Sequence, residues 1–305
     1  AAMYHAKESG RGRAEVFDES MRARAVVRHA TENDLHRALE GGELLLFFQP
    51  VVSLREARCV GAEALVRWQH PDRGLMLPDE FVPLAEETGL VVDIGAWVLD
   101  TATREAARFQ GEHDHPFVVS VNLSARQLAQ PGLAERLAEV LERSGLAPED
   151  LCLEITESVM MEDADAVISV VERVRALGVR LSIDDFGTGY SSLGYLKRFP
   201  VDAVKIDRSF VAGLGTDPGD AAIVSAVVGL AHALGLQVVA EGVETEQQLV
   251  EVIALGCDEA QGYYFAPPQP VQDFRTLIGR ARAWRPPGAR LMTNPGAHET
   301  KRRTE

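Results

Sequence analysis

Short apolar runs alternate with helix-period segments along the chain, and polar side chains stand at or just past the ends of those runs. Glu63, Asn122, Glu154, Asp184 with Asp185, Lys205, Glu241 and Gln261 recur at intervals of one strand plus one helix. A parallel barrel brings the carboxyl ends of all its strands to one face, so this spacing predicts a single shared pocket. Five of the groups are carboxylates. Crowded carboxylates repel and resist ionising unless a cation joins them, so the set implies bound metal.

Eight strand-like runs can be marked, at residues 44–48, 60–66, 117–123, 151–155, 181–184, 203–206, 238–241 and 260–265. Helix-period segments are expected at 94–109, 125–144, 164–177, 191–199, 221–234, 246–255 and 271–283. Gly145, Gly178, Gly235 and Gly256 follow four of them, where a left-handed residue ends a helix well. The alternation predicts an α/β fold, a TIM-like (β/α)8 barrel. Only residues 49–59 separate the first two strands, and a parallel crossover needs a dozen residues or more. The first strand is therefore expected to be antiparallel, joined to the second by a hairpin-like turn around Ser53 to Ala57.

The 305 residues, 46% apolar, suit one core of barrel size with smaller appendages. The longest purely apolar stretches, such as 44–48, fall far short of the roughly 20 residues a membrane span needs. Cys59, Cys152 and Cys257 stand singly, without metal-ligand spacing, which fits reduced thiols in a cytoplasmic protein. A formal charge of −15 argues against a broad footprint for DNA or RNA. It leaves room for a small phosphate-bearing ligand, because local cations dominate within a screening length of about 8 Å. Residues 19–42 read as a charged helical connector, 43–285 as the barrel, and 286–305, with Pro286, Pro287 and Pro295, as a disordered tail.

Asp184 and Asp185 open the stretch DDFGTGYSSL. Adjacent strand residues point to opposite faces, so both acids can face one ligand only where the strand ends and the backbone turns, as Gly187 and Gly189 permit. Capping of the following helix is the alternative for this pair alone. Glu63, Glu154 and Glu241 each sit in an otherwise apolar run, where an unpartnered carboxylate costs several kcal/mol. A structural salt bridge accounts for any one of them but poorly for all. Oxygen-only ligands, with no histidine at a strand end, point to Mg²⁺ or Mn²⁺ rather than zinc. Asp184 as a bridge gives enough carboxylates for two ions about 3.5–4 Å apart, the arrangement suited to phosphodiester cleavage. Lys205 beside such a cluster would orient or help deprotonate the attacking water; a core pair with Asp202 or Asp207 is its alternative.

The motifs GAEALVRW, VNLSARQL, LEITES, DDFGTGYSSL, VKIDRSF, AEGVET and QGYYFAPP, in that order over residues 44–283, resemble those of the EAL-domain cyclic di-GMP phosphodiesterases. The resemblance implies a barrel with one antiparallel strand that hydrolyses cyclic di-GMP to linear pGpG with Mg²⁺ or Mn²⁺. It implies that Glu63, Asn122, Glu154 and Asp184 hold one ion, and Asp184, Asp185 and Glu241 the second. Lys205 would then face the attacking water and Gln261 a metal-bound water, while Glu157 braces the DDFGTGYSSL loop. Arg67 matches a phosphate-contacting arginine, and Gln49 and the 265–268 segment, with Pro267, are expected near a guanine. Phe48 stands where tyrosine is common; the metal, lysine and loop-bracing positions show no departure. AMYHAKESGRGRAEVFD, within residues 1–18, resembles the closing segment of a GGDEF diguanylate-cyclase domain, implying an upstream domain in a longer signalling protein. Family members often pair through barrel helices, so a homodimer is expected.

Two other readings stand beside this one. A non-hydrolysing cyclic di-GMP receptor keeps the fold and drops the chemistry. A barrel glycosidase would use Glu154 and Glu241 as its acid pair, but with only 6% aromatic residues it has few platforms for stacking sugars, and Lys205 would be idle.

Overall fold

A computed structural model describes residues 31–111, 116–162, 164–188, 196 and 198–280. The GGDEF-like segment, the first half of the connector and the tail lie outside the described residues. Among the described residues, ten strands form one sheet: β1 (Leu44–Ser53), β2 (Arg58–His70), β3 (Gly74–Met76), β4 (Val118–Asn122), β5 (Leu151–Thr156), β6 (Arg180–Phe186), β7 (Ala203–Ile206), β8 (Gln237–Ala240), β9 (Glu259–Gln261) and β10 (Gln269–Pro270). Their order is β10-β1-β9-β8-β7-β6-β5-β4-β2-β3, and a further β1–β2 pairing closes eight of them into a barrel. β3 and β10 attach as short antiparallel additions to β2 and β1. The fold is the expected TIM-like barrel.

β1 runs antiparallel to both of its barrel neighbours, and every other barrel pairing is parallel. The hairpin that reverses it is tight. Ser53 pairs with Arg58, the Ala57 amide donates to the Ser53 carbonyl at 2.8 Å, and Ala57 itself has φ 53°. Residues in register share a face of the sheet. Gln49 opposes Glu63, Glu63 opposes Ser120, Asn122 opposes Glu154 and Glu154 opposes Ser182. These side chains therefore face the barrel lumen together.

The opposite face of each strand meets the helices. Phe48, one residue before Gln49, is fully buried with its ring 5.2 Å from Phe109 and 5.8 Å from Phe274. Phe109 stands in the helix Val91–Gln110, whose apolar residues recur every three or four positions and bury one stripe against the barrel.

Several elements depart from the sequence expectation. The helix expected over 125–144 is two helices, Ala125–Leu128 and Leu133–Ser144, because Pro131 interrupts the ladder and Gly132 turns the chain at φ 77°. The final strand stops at Gln261 rather than 265, since Gly262 lies against the Val243 backbone, where even a Cβ would fall within 2.1 Å of the Val243 carbonyl oxygen. Neither β3, β10 nor the helix Pro78–Thr88 is foreseen from sequence. The helix expected at 191–199 falls mostly outside the described residues. Among the described residues, no helix is long and apolar enough to cross a membrane.

Candidate active site at the strand ends

Lys205, on β7, organises the carboxyl end of the lumen. It is 2% exposed, and its Nζ lies 2.6 Å from Glu241 Oε1, 2.7 Å from Glu154 Oε2, 3.3 Å from Glu63 Oε2 and 3.4 Å from Asp184 Oδ1. The core pair with Asp202 or Asp207 is not formed. Asp202 instead takes the Arg175 guanidinium at 2.9 Å and the Leu181 amide, while Asp207 caps the helix Arg208–Ala212 through the Ser209 amide.

Glu63 binds on both oxygens. Asn122 Nδ2 donates to Oε1 at 2.7 Å, which leaves the Asn122 carbonyl oxygen as the atom to offer a cation. Gln261 Nε2 donates to Glu63 Oε2 at 2.6 Å and to Gln49 Oε1 at 2.9 Å. Gln49 in turn donates to the Ala266 carbonyl at 3.2 Å, tying the segment after β9 to the site.

β6 runs on to Phe186 rather than ending at Asp184, and its register to β7 shifts between Ile183 and Phe186, where Asp184 and Asp185 lie. Asp185 adopts φ 54°, uncommon for a residue with a side chain, and this bend aims both acids the same way. Asp184, Asp185 and Glu241 bring carboxylate oxygens within 4.8 Å of one another. Behind them, Glu157 Oε2 accepts the Gly187 amide at 3.0 Å. Arg67 forms no ion pair with the acid cluster; its guanidinium lies over the Phe47 ring and donates to the Val66 carbonyl. Pro267 is exposed beside Ala266.

The family model for the EAL domain matches residues 32–268. The chain belongs to the EAL-domain family. It is 48% identical over 278 residues to the bifunctional diguanylate cyclase/cyclic di-GMP phosphodiesterase MucR of Pseudomonas aeruginosa, covering 91% of this chain and 41% of that protein. It is 42% identical over 284 residues to the cyclic di-GMP phosphodiesterase NbdA of the same organism, covering 93% of this chain and 36% of that one. The chain thus spans less than half the length of these curated relatives. Among solved structures, the P. aeruginosa MucR phosphodiesterase in complex with c-di-GMP superposes with a TM-score of 0.78 at 48% identity, over 80% of this chain and 99% of that one.

Charge crowding in this EAL barrel shows in the proton affinities. Burial, with Glu63 and Asp184 adding to it, raises the Glu154 carboxyl well above its ordinary value against the pull of Lys205. Burial likewise pushes Glu241 up to about 8, with Asp184 and Glu63 contributing, and raises Asp185 together with Asp184 and Asp207. Glu63 goes the other way. Burial alone raises it, but Lys205 and the Gln261 and Asn122 amides together hold it below the carboxylate range. For Lys205 burial is outweighed by Glu154, Glu241, Glu63 and Asp184, which keep it firmly protonated.

One ammonium cannot balance five carboxylates, and the remaining groups suit a hard divalent cation. All donors are oxygens, the Asp184, Asp185 and Glu241 oxygens converge, and Gln261 Oε1 is buried without a protein partner. Sequence reasoning passed over Ser120 and Ser182, which share the lumen face. Their signal is alternation alone: each lies two residues before an acid or amide of the site, at Asn122 and Asp184.

Proposed function

We propose that this EAL barrel is a metal-dependent phosphodiesterase that hydrolyses cyclic di-GMP to linear pGpG. The observation that carries this reading is the Lys205 ammonium held among four lumen-facing carboxylates, in a chain whose acid set is complete. Glu63, Asn122, Glu154 and Asp184 would hold one divalent ion, and Asp184, Asp185 and Glu241 a second. Such a pair, when bound, supplies a nucleophilic water at neutral pH and stabilises the leaving oxygen.

The protein's own groups do the rest. Lys205 orients the attacking water and offsets the negative charge that develops on the phosphate. Its own acid neighbours keep it charged and centred, so the ammonium needs no reorganisation as the reaction proceeds. Glu157, through the Gly187 amide, holds the Asp184–Asp185 turn in the geometry that aims both acids inward. Gln261 bridges Gln49 and Glu63 and presents its free carbonyl oxygen to water. Arg67 binds a phosphate, while Gln49 and Pro267 lie against a guanine. We place this activity in the cytoplasm, in a homodimer, downstream of a GGDEF domain to which residues 1–18 belong.

The test is incubation of purified protein with cyclic di-GMP and Mn²⁺, followed by chromatography. Appearance of pGpG supports the reading. Tight binding without product replaces it with a receptor, and neither binding nor turnover removes both.

A further inference from the structure

The lumen does not close beneath the acid cluster. A cavity of about 350 Å³ opens at the amino-terminal end of the strands and reaches Glu154 and Lys205, the same groups that face the site from below. Ser120, Cys152 and Ser182 stand on its wall. Ser182 is in register with Glu154 on one side and Ala203 on the other, which puts its side chain between the strands that carry Glu154 and Lys205. It is 3% exposed, and its hydroxyl has no protein partner.

Buried hydroxyls are rarely left unpaired, and interiors satisfy them with water where there is room and polar company. The chamber offers both, and the Ser182 hydroxyl, closed off in this conformation, would reach it through a rotation about χ1. The chamber has space for several waters at about 30 Å³ each, and its walls carry hydroxyls, a thiol and the charged pair above. Neither Ser182 nor the chamber has a part in the chemistry assigned to the acid cluster.

We propose that this chamber is a hydrated shaft, and that Ser182 is a positioning residue. Its hydroxyl anchors water against the underside of the Glu154–Lys205 pair and so keeps both side chains at the height the strand-end acids require. The site is thus supported from two ends of the barrel: near the rim by the hydrogen bonds that Asn122 and Gln261 donate to Glu63 and that Glu157 accepts from Gly187, and from below by water. The effect on turnover rests on the proposed phosphodiesterase reading; the water itself does not.

Two measurements decide it. A crystal structure of the full chain is expected to show ordered water within hydrogen-bond distance of Ser182 Oγ, and a dry chamber would overturn the proposal. Ser182→Val and Ser182→Thr have nearly the same shape and differ in the hydroxyl. Val is expected to lower kcat on cyclic di-GMP about tenfold with KM unchanged, and to weaken Mn²⁺ binding, read by calorimetry without substrate, by a similar factor. Thr is expected to restore both. Equal behaviour of the two variants would show that shape rather than the hydroxyl matters, and would sink the idea. If the wild-type protein proves inactive on cyclic di-GMP, the functional reading fails alone, since the ordered water and the Mn²⁺ comparison still judge the shaft.

Discussion

Phe48 and Gln49 are neighbours in the chain and belong to different worlds. Phe48 faces outward from β1 into a dry cluster with Phe109 and Phe274, and Phe117 packs on Phe109 at 5.7 Å. Gln49 faces inward and joins a polar chain through Gln261 to Glu63. The strand's twofold alternation is what separates them. In the outer layer, contacts are apolar and mutually supporting; in the lumen, like charges are forced together around one lysine. Stability and chemistry thus occupy opposite faces of the same strands, and substitutions on the two faces should have opposite signatures.

The largest expected effect is on turnover. Glu63→Ala removes a carboxylate from the acid cluster and leaves the Gln261 and Asn122 donors without their shared acceptor. Hydrolysis of cyclic di-GMP should fall by about 10³-fold, yet the barrel should stay folded: stranding two buried donors costs about 1–3 kcal/mol, and removing Glu63 eases the repulsion it exerts on Glu154 and Glu241. Undiminished turnover would defeat the assignment of Glu63, and a collapse in stability would defeat the separation of faces.

Phe109→Ala attacks the other face. Its ring touches Phe48, Phe117 and Phe274, and truncating a buried aromatic of this kind costs about 3–5 kcal/mol. Urea titration should show that loss. In the fraction that remains folded, turnover per molecule should stay near the wild-type value; a parallel loss of kcat would mean that the two layers are mechanically coupled.

A third prediction concerns the crowding itself. Glu241 is pushed up to about 8 in the folded protein from an ordinary 4.5, chiefly by burial. The folded state therefore binds this proton more tightly than the unfolded chain, so the stabilisation is complete below pH 4.5 and drains away as pH rises to about 8. The slope from one such group is at most about 1.4 kcal/mol per pH unit. Glu154 shifts in the same direction. Glu63, shifted downward, gains its contribution above its unfolded pKa and loses it only on acidification, outside this window. Metal-free protein should consequently melt at lower temperature at pH 8 than at pH 5, Glu241→Gln should flatten that dependence, and Mn²⁺ should reverse it. A metal-free melting temperature that climbs over this range would contradict the charge assignment.

How much of this is legible in the sequence follows from the same two faces. The strand-end acids stand out because a carboxylate inside an apolar run is costly and rare, so Glu63, Glu154 and Glu241 announce themselves. The reversed β1 is legible because chain length forbids a crossover. β3 and β10, at three and two residues, are too short to carry a periodic signal. The bond from Gln49 to Ala266 spans 217 positions and follows from barrel closure, which no local pattern encodes. Ser182 is invisible for a different reason: a serine in a strand is ordinary until its hydroxyl is found without a partner.

The smallest expected effect sharpens the comparison most. Ala57 and Asp185 are the described non-glycine residues with positive φ, at 53° and 54°. The same backbone conformation serves a hairpin in one place and an acid turn in the other. Left-handed φ costs an L-residue roughly 1–2 kcal/mol that glycine avoids, while glycine loses more entropy on folding. Ala57→Gly should therefore raise stability by at most about 1 kcal/mol and leave turnover untouched, since the turn lies at the end of the barrel away from Asp185. Asp185→Gly relieves the same local strain but deletes a carboxylate, so any gain in stability should come with loss of hydrolysis. If instead Ala57→Gly alters kcat, the hairpin communicates with the acid cluster, and the strain at Asp185 can no longer be read as local to its function.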